Sequence, residues 1–130
     1  PKTMQDQPAY ESVVDEVFEY LAKKKQDCLH AGIKDIIADP GFGFGKTIDH
    51  NFQLLKHLPH FYLLEIPVLV GVSRKSMIKN ILDVSAEESL NGSTVLHTIA
   101  LTSGCHILRV HDVKEAKEAI TLVNRLHSVD

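Results

Sequence analysis

A chain of 130 residues is long enough for one domain, and its 44% hydrophobic content can supply a core. The net charge of −3 gives no electrostatic reason to expect a nucleic acid or an anionic membrane as a partner. No apolar run approaches the roughly 20 residues of a membrane-spanning helix, so we expect no membrane segment. Cys28 and Cys105 are far apart and lack zinc or redox spacing, which predicts two reduced thiols in a cytoplasmic protein.

Helical and extended patterns alternate along the chain. In chain order, the predicted elements are a helix at Tyr10–Ala31, a strand at Ile36–Ala38, a helix at Asp49–Leu58, a strand at Val68–Gly71, a helix at Ser73–Leu82, a helix at Ser85–Leu101, a strand at Cys105–Val110 and a helix after Asp112. The helices carry apolar residues at helical spacing, and "VLVG" is a continuous apolar run typical of parallel strands covered on both faces.

Two capping boxes predict where the last two helices begin. Ser85 with Glu88 has the required spacing, and so has Asp112 with Glu115. The apolar face predicted for the last helix consists of Val113, Ala116, Ile120, Val123 and Leu126.

The alternation predicts an α/β fold with a parallel sheet, whose ligand chemistry lies at the carboxyl ends of the strands. The predicted strands end near Asp39, Gly71 and Arg109, which are 32 and 38 residues apart. This spacing fits the roughly 30-residue units of a TIM (β/α)8 barrel of about 250 residues. Because three strands cannot close a barrel, we expect about half of one, with a small open doubly wound sheet as the alternative.

The loop "ADPGFGFGKT" (residues 38–47) resembles a nucleotide phosphate cradle, but its spacing is wrong. A P-loop that ends at Lys46 and Thr47 would need a glycine at position 40, where Pro40 stands and offers no N–H. The dinucleotide pattern G-x-G-x-x-G fails as well, because Lys46 occupies the place of its third glycine. Glycines that flank Phe42 and Phe44 instead suit the close approach of a flat ring, although the two phenylalanines could also be local core residues.

Polar groups follow each predicted strand and form the candidate site: Asp39; then Gly71, Ser73, Arg74 and Lys75; then Arg109 and His111. Asp39 could simply begin a turn before Pro40, and Asp112 is explained as a helix cap. A bare Arg109 after an apolar strand is costly unless it meets an anion. Together the candidates describe one acid, one lysine and an anion-binding pair around a planar ring. We expect Asp39, Lys75 and Arg109 to converge on one rim.

The blocks "DPGFGFGKT..HN", "LVGVSRKSMI" and "ILRVHDV" closely resemble three C-terminal signature blocks of the bacterial dihydropteroate synthases, and "TMQ" near the start resembles the segment after that family's fifth strand. The resemblance implies a folate-pathway transferase on a TIM barrel, of the class that sulfonamides target. Such an enzyme joins p-aminobenzoate to 6-hydroxymethyl-7,8-dihydropterin diphosphate and releases pyrophosphate. The chain would then be the C-terminal portion of a pterin-binding barrel domain, residues 1–130, with the N-terminal half absent.

The resemblance also implies a role for each site residue. Asp39 and Lys75 would be the catalytic residues and would bind the pterin, which Gly71 and Phe44 would border. Ser73, Arg74 and Phe44 would contact the aminobenzoate, and Arg109 with His111 would bind the pyrophosphate. Mg²⁺ would neutralise the diphosphate, with its ligands in the missing half and none in this chain. We also expect a homodimer, and no catalysis by this chain alone.

Two other functions stay open. A pterin-binding methyltransferase domain shares the barrel and an equivalent acid, but it needs no pyrophosphate site, and "RVHDV" argues against it. A noncatalytic half barrel would fold or dimerise without chemistry.

Overall fold

The structure is a computed structural model, and it describes residues 12–130. The elements in chain order are α1 (Val13–His30), α2 (Ile48–Lys56), a 3₁₀ helix (Leu58–Leu64), β1 (Leu69–Val70), α3 (Ser76–Leu82), α4 (Leu90–Thr102), β2 (Ile107–Leu108) and α5 (Val113–Ser128). The "TMQ" segment and the predicted first residues of the first helix lie outside the described residues.

The extended segments align in parallel and in chain order. β1 pairs with β2 so that Leu69 is level with Ile107, and Ala38 forms a single parallel pairing with Val68. The predicted parallel arrangement is therefore confirmed, but the predicted strands are too long. In the same register, Ile36 and Ile37, which precede Ala38, lie opposite Ile66 and Pro67 of the next segment. Pro67 lacks an N–H, so the ladder cannot extend in that direction.

The third strand is also shorter than Cys105–Val110, although its hydrogen bonds extend past its ends. The His106 N–H donates to the Val68 carbonyl at 3.0 Å, and the Arg109 N–H donates to the Val70 carbonyl at 3.0 Å. These bonds place Arg109 directly beyond β1, where the site residues of the preceding strand begin.

One helix end and one helix start differ from the sequence predictions. The helix predicted to run to Leu58 ends at Lys56, because Pro59 interrupts the α-helical hydrogen bonds and a 3₁₀ helix follows. The helix predicted from Ser73 begins at Ser76, because Ser73 and Arg74 form a turn that the Lys75 N–H closes on the Val72 carbonyl.

The two predicted capping boxes have different outcomes: the helix predicted from Ser85 begins later, whereas the last helix begins after Asp112 as predicted but without the capping hydrogen bond. Ser85 and Glu88 do exchange their capping hydrogen bonds, but Ser89 then donates its hydroxyl to the Ala86 carbonyl and ends that turn, so α4 begins at Leu90. Asp112 occupies the cap position of α5 without a side-chain cap bond, because its carboxylate binds Arg74 instead.

The core lies between the extended segments and the helices, and consecutive helices pack on each other along the chain. Its fully buried large side chains are Phe42, Leu54, Leu58, Phe61, Val68, Val70, Val72 and Met77. On α5 the buried residues are Ala116, Ala119 and Val123, whereas Val113 and Leu126 of the predicted apolar face are exposed. No helix within residues 12–130 is long and apolar enough to cross a membrane.

Candidate active site

The glycine loop is held by its own polar groups. Gly41, Gly43 and Gly45 all have positive φ angles, of 75°, 92° and 63°, which side chains rarely adopt. The Gly43 N–H donates to the Oδ1 atom of Asn51 at 2.7 Å, and Asn51 is itself buried at the start of α2. The loop is therefore anchored to a helix before any ligand arrives.

The ammonium group of Lys46 is hydrogen-bonded to the glycine loop itself. It donates to the Gly41 carbonyl at 2.8 Å and to the Phe44 carbonyl at 2.9 Å. Burial lowers the pKa of Lys46, with the Asp39 charge opposing that shift and the Lys75 charge adding to it. The lysine thus closes the loop on itself, which agrees with the argument from spacing that this is not a P-loop.

The two phenylalanines of the loop point in different directions. Phe42 is completely buried, as a core residue would be, whereas 55% of Phe44 is exposed. The Lys75 ammonium donates to the Phe42 carbonyl at 2.7 Å and lies 5.4 Å from the centre of the Phe44 ring. The exposed Phe44 ring and the Lys75 ammonium therefore form a cation–π pair beside the strand ends.

Asp39, Lys75 and Arg109 meet at this rim, as expected from their positions after the three extended segments. Asp39 accepts the Gly41 N–H through Oδ1 at 2.9 Å, so it does begin a turn, and its Oδ2 lies 3.4 Å from Arg109 Nη2. Burial lowers the pKa of Lys75; the positive charge of Arg109 lowers it further, and Asp39 opposes the shift. One carboxylate and two cations are therefore close enough to affect one another.

Gly71 provides the space that Arg109 occupies. A Cβ atom at position 71 would lie 3.2 Å from Nη2 and 3.3 Å from Nε of Arg109. Gly71, Ser73, Lys75, Arg109, Val110 and His111 line a shallow cavity of about 150 Å³. Ser73 Oγ is 2.8 Å from His111 Nδ1 and also accepts the His111 N–H at 3.3 Å. The second and third strand ends thus form one polar depression.

Arg74 points its side chain to a different partner. Its Nη2 and Nε donate to the two oxygens of Asp112 at 2.7 and 3.3 Å, and its φ angle is +56°. The hydrogen bond from Arg74 is the main reason why the pKa of Asp112 is lowered. The guanidinium atom Nη1 takes no part in the two bonds.

The family model described as "Pterin binding enzyme" matches residues 1–111. The chain belongs to the pterin-binding enzyme family. It is 48% identical over 125 residues to the dihydropteroate synthase of Escherichia coli K12, and 47% identical over 122 residues to that of Haemophilus influenzae. These alignments cover 95% and 92% of this chain but 44% of each relative, so the chain spans less than half the length of these curated relatives.

Solved structures of this pterin-binding family match the fold closely. The Yersinia pestis dihydropteroate synthase in a sulfonamide complex superimposes with a TM-score of 0.95 at 40% identity, covering 98% of this chain and 47% of that one. The Thermus thermophilus enzyme in complex with 4-aminobenzoate gives a TM-score of 0.94 at 39% identity, with 98% and 53% covered. The fold class is therefore confirmed as α/β with parallel strands, about half of a TIM (β/α)8 barrel, and the doubly wound alternative is excluded.

Three polar residues of this family member were missed as contributors to the site. Lys46 and Asn51 fix the glycine loop, and Ser93 accepts the Arg74 N–H at 3.0 Å from within α4. Asn51 does stand in the quoted "HN" block, so its signal was in the sequence. Ser93 follows Gly92, and no local pattern indicated that this serine would contact a residue 19 positions earlier.

Proposed function

We propose that this chain forms part of a dihydropteroate synthase, which condenses p-aminobenzoate with 6-hydroxymethyl-7,8-dihydropterin diphosphate. The observation that carries the proposal is the meeting of Asp39, Lys75 and Arg109 at one rim beside the exposed Phe44 ring. A carboxylate, a lysine and an arginine are the groups needed for the amidine-like edge of a pterin, its ring acceptors and a diphosphate. The named relatives support the same reaction, and the structural neighbours include proteins solved with 4-aminobenzoate and with product.

In this reaction the aminobenzoate nitrogen attacks the methylene carbon of the pterin diphosphate. The bond from that carbon to the diphosphate oxygen breaks, its electron pair leaves with pyrophosphate, and the amine loses a proton to water. Asp39 would accept hydrogen bonds from the pterin edge, and Lys75 would donate to ring acceptors. Arg109 and His111 would stabilise the departing anion, which carries most of the developing negative charge.

The aminobenzoate would lie against Phe44, with its carboxylate toward the turn of Ser73 and Arg74. Arg74 could contribute Nη1 without leaving Asp112, since its two hydrogen bonds to that carboxylate use the other nitrogens. Holding both substrates in this order supplies the orientation that a weakly nucleophilic arylamine needs.

Magnesium would accompany the diphosphate, but no group of three or more His, Cys, Asp or Glu residues within positions 12–130 could hold a metal ion. We therefore assign no step to magnesium. We further propose a cytoplasmic homodimer. Large apolar side chains exposed on α4 and α5, which pack together, would supply surface for a second subunit: Val95, Ile99, Leu122 and Leu126.

The function can be tested by replacing the aligned segment of the Escherichia coli enzyme with residues 1–130. The expected result is a chimera that forms dihydropteroate from both substrates with Mg²⁺, and that loses this activity with Asp39→Ala. Asp49→Ala, in the first turn of α2, is the control and should leave the rate unchanged. A folded chimera without activity that still binds a pterin would favour the methyltransferase, and one that binds no pterin would favour the noncatalytic half barrel.

A further inference from the structure

Arg74 lies between two site residues in a conformation that its residue type disfavours. Its φ angle of +56° is in the left-handed region, where an ordinary side chain is strained and glycine is not. Ser73, on one side, contacts His111, and Lys75, on the other, contacts the loop of Phe42 and Phe44. The direction in which both side chains leave the backbone therefore depends on the left-handed turn at Arg74.

Two residues outside the proposed site hold Arg74 in this conformation. The backbone N–H of Arg74 donates to Oγ of Ser93 at 3.0 Å, and Ser93 is only 1% exposed. The Arg74 guanidinium is fixed at its other end by two hydrogen bonds to Asp112. The main chain of Arg74 is thus bound by a residue of α4, Ser93, and its side chain by Asp112, the residue that precedes α5.

The approach of α4 to this turn depends on a second close contact. A Cβ atom at Gly92 would lie 2.5 Å from Cγ2 of Ile78 and 2.9 Å from Cδ1 of Leu82, so a larger residue would force these side chains or α4 itself to move. The glycine allows the two helices to pack closely. It thereby brings the neighbouring Ser93 within reach of the Arg74 amide.

We propose that Ser93 and Asp112 are positioning residues of the active site, which act by holding Arg74 in the left-handed conformation that orients Ser73 and Lys75. The inference rests on the proposed function, since it assigns Ser73 and Lys75 to the substrates. It predicts that the conformation at position 74 matters more for the pterin diphosphate than the arginine side chain itself does.

The decisive comparison is Arg74→Ala against Arg74→Gly in the chimera described above. Alanine loses the ion pair to Asp112 but keeps the strain of a positive φ, so kcat/KM for the pterin diphosphate should fall about 5- to 30-fold. Glycine adopts the same turn without strain and should remain within about threefold of the unsubstituted enzyme. A direct contact of Arg74 with aminobenzoate would show separately, as an equal rise of the aminobenzoate KM in both variants.

Asp112→Asn and Ser93→Ala should lower kcat/KM for the pterin diphosphate as Arg74→Ala does, and Asp112→Asn should add nothing once Arg74→Gly is present. Two variants serve as controls. Glu115→Gln removes a carboxylate from the first turn of α5, and Thr98→Val removes a hydroxyl whose hydrogen bond lies within α4. Neither control should change kcat/KM for the pterin diphosphate. Equal losses for alanine and glycine at position 74, or an Asp112→Asn variant that behaves like Glu115→Gln, would overturn the proposal.

A readout without substrate separates this inference from the proposed function. In NMR spectra of the chimera, Arg74→Ala and Asp112→Asn should shift the backbone signals of Ser73 and Lys75, whereas Arg74→Gly should leave them nearly in place after allowing for the substitution. Unchanged signals in Asp112→Asn contradict positioning, whatever the activity. An unsubstituted chimera without activity, together with the expected NMR shifts, would contradict only the proposed function.

Discussion

Gly71→Ala tests the anion-binding role proposed for Arg109 separately from the stability of the fold. The new Cβ atom would lie 3.2 Å from Nη2 and 3.3 Å from Nε of Arg109, closer than ordinary van der Waals contact. The guanidinium must therefore move by a few tenths of an ångström. It can do so, because 59% of the Arg109 side chain is exposed.

The expected stability change is small and favourable. Gly71 is not among the glycines with positive φ, so alanine fits its backbone and reduces the entropy of the unfolded chain, a gain of about 0.4–1 kcal/mol. Anion binding should change in the opposite direction. A hydrogen bond to a charged group contributes about 1.5–3 kcal/mol, or roughly 10- to 100-fold in Kd. Partial loss of one such bond predicts about three- to thirtyfold weaker binding of pyrophosphate.

The assay is calorimetric titration of inorganic pyrophosphate into the chimera, together with urea unfolding of the same samples. Gly32→Ala is the matched control, since Gly32 has a φ of +87° and no atom within 4 Å of an added Cβ. That control should lose about 1–2 kcal/mol of stability through backbone strain and keep its affinity for pyrophosphate. An unchanged Kd in Gly71→Ala would refute the assignment of Arg109 to the anion, and a large loss of stability would refute the geometry at Gly71.

Three further predictions concern single side chains. Arg109→Ala should weaken binding of the pterin diphosphate far more than binding of aminobenzoate, and equal losses in the two titrations would make Arg109 structural. Lys75→Ala should cost at least about 2 kcal/mol of transition-state stabilisation, roughly thirtyfold in kcat/KM, while the fold stays intact; near-normal turnover would contradict its role. Burial raises the pKa of the Cys105 thiol from 9.0 to about 11, so the unfolded chain releases this proton first and the free energy of unfolding should fall as pH rises from 9 to 11. Urea unfolding across that range should show a shallower fall for Cys105→Ala, and identical slopes would contradict the burial of the thiol.

The order of elements and the location of the site could be predicted because both depend on simple chain properties. Apolar runs alternate with amphipathic segments, and groups that follow parallel strands collect at one edge. That rule predicts that Asp39, Lys75 and Arg109 lie close together. Strand lengths were not predictable in this way, since each strand extends only as far as its neighbour offers hydrogen-bonding groups.

The role of Asp112 shows where local patterns fail. Asp112 and Glu115 have capping-box spacing, and a cap is an adequate local explanation of the aspartate. The actual partner of Asp112 is Arg74, 38 positions away, and two charge-assisted hydrogen bonds replace the weaker cap bond. No pattern within one helix contains that information. The left-handed turn at Arg74 was unpredictable for the same reason, because a partner distant in sequence stabilises a conformation that the residue itself disfavours.

The Asp39–Arg109 contact raises the question of how a site can pair its own acid and base and still bind substrate. The pair is long, at 3.4 Å, and the two side chains are 33% and 59% exposed. Such exposed pairs contribute only about 0–1 kcal/mol. In the proposed function, Asp39 would exchange this contact for hydrogen bonds from the pterin edge, and Arg109 would exchange it for the diphosphate, at about 1.5–3 kcal/mol for each charged hydrogen bond. Separating the pair therefore costs little free energy. In the free site the two opposite charges stay close together, and a substrate can still separate them.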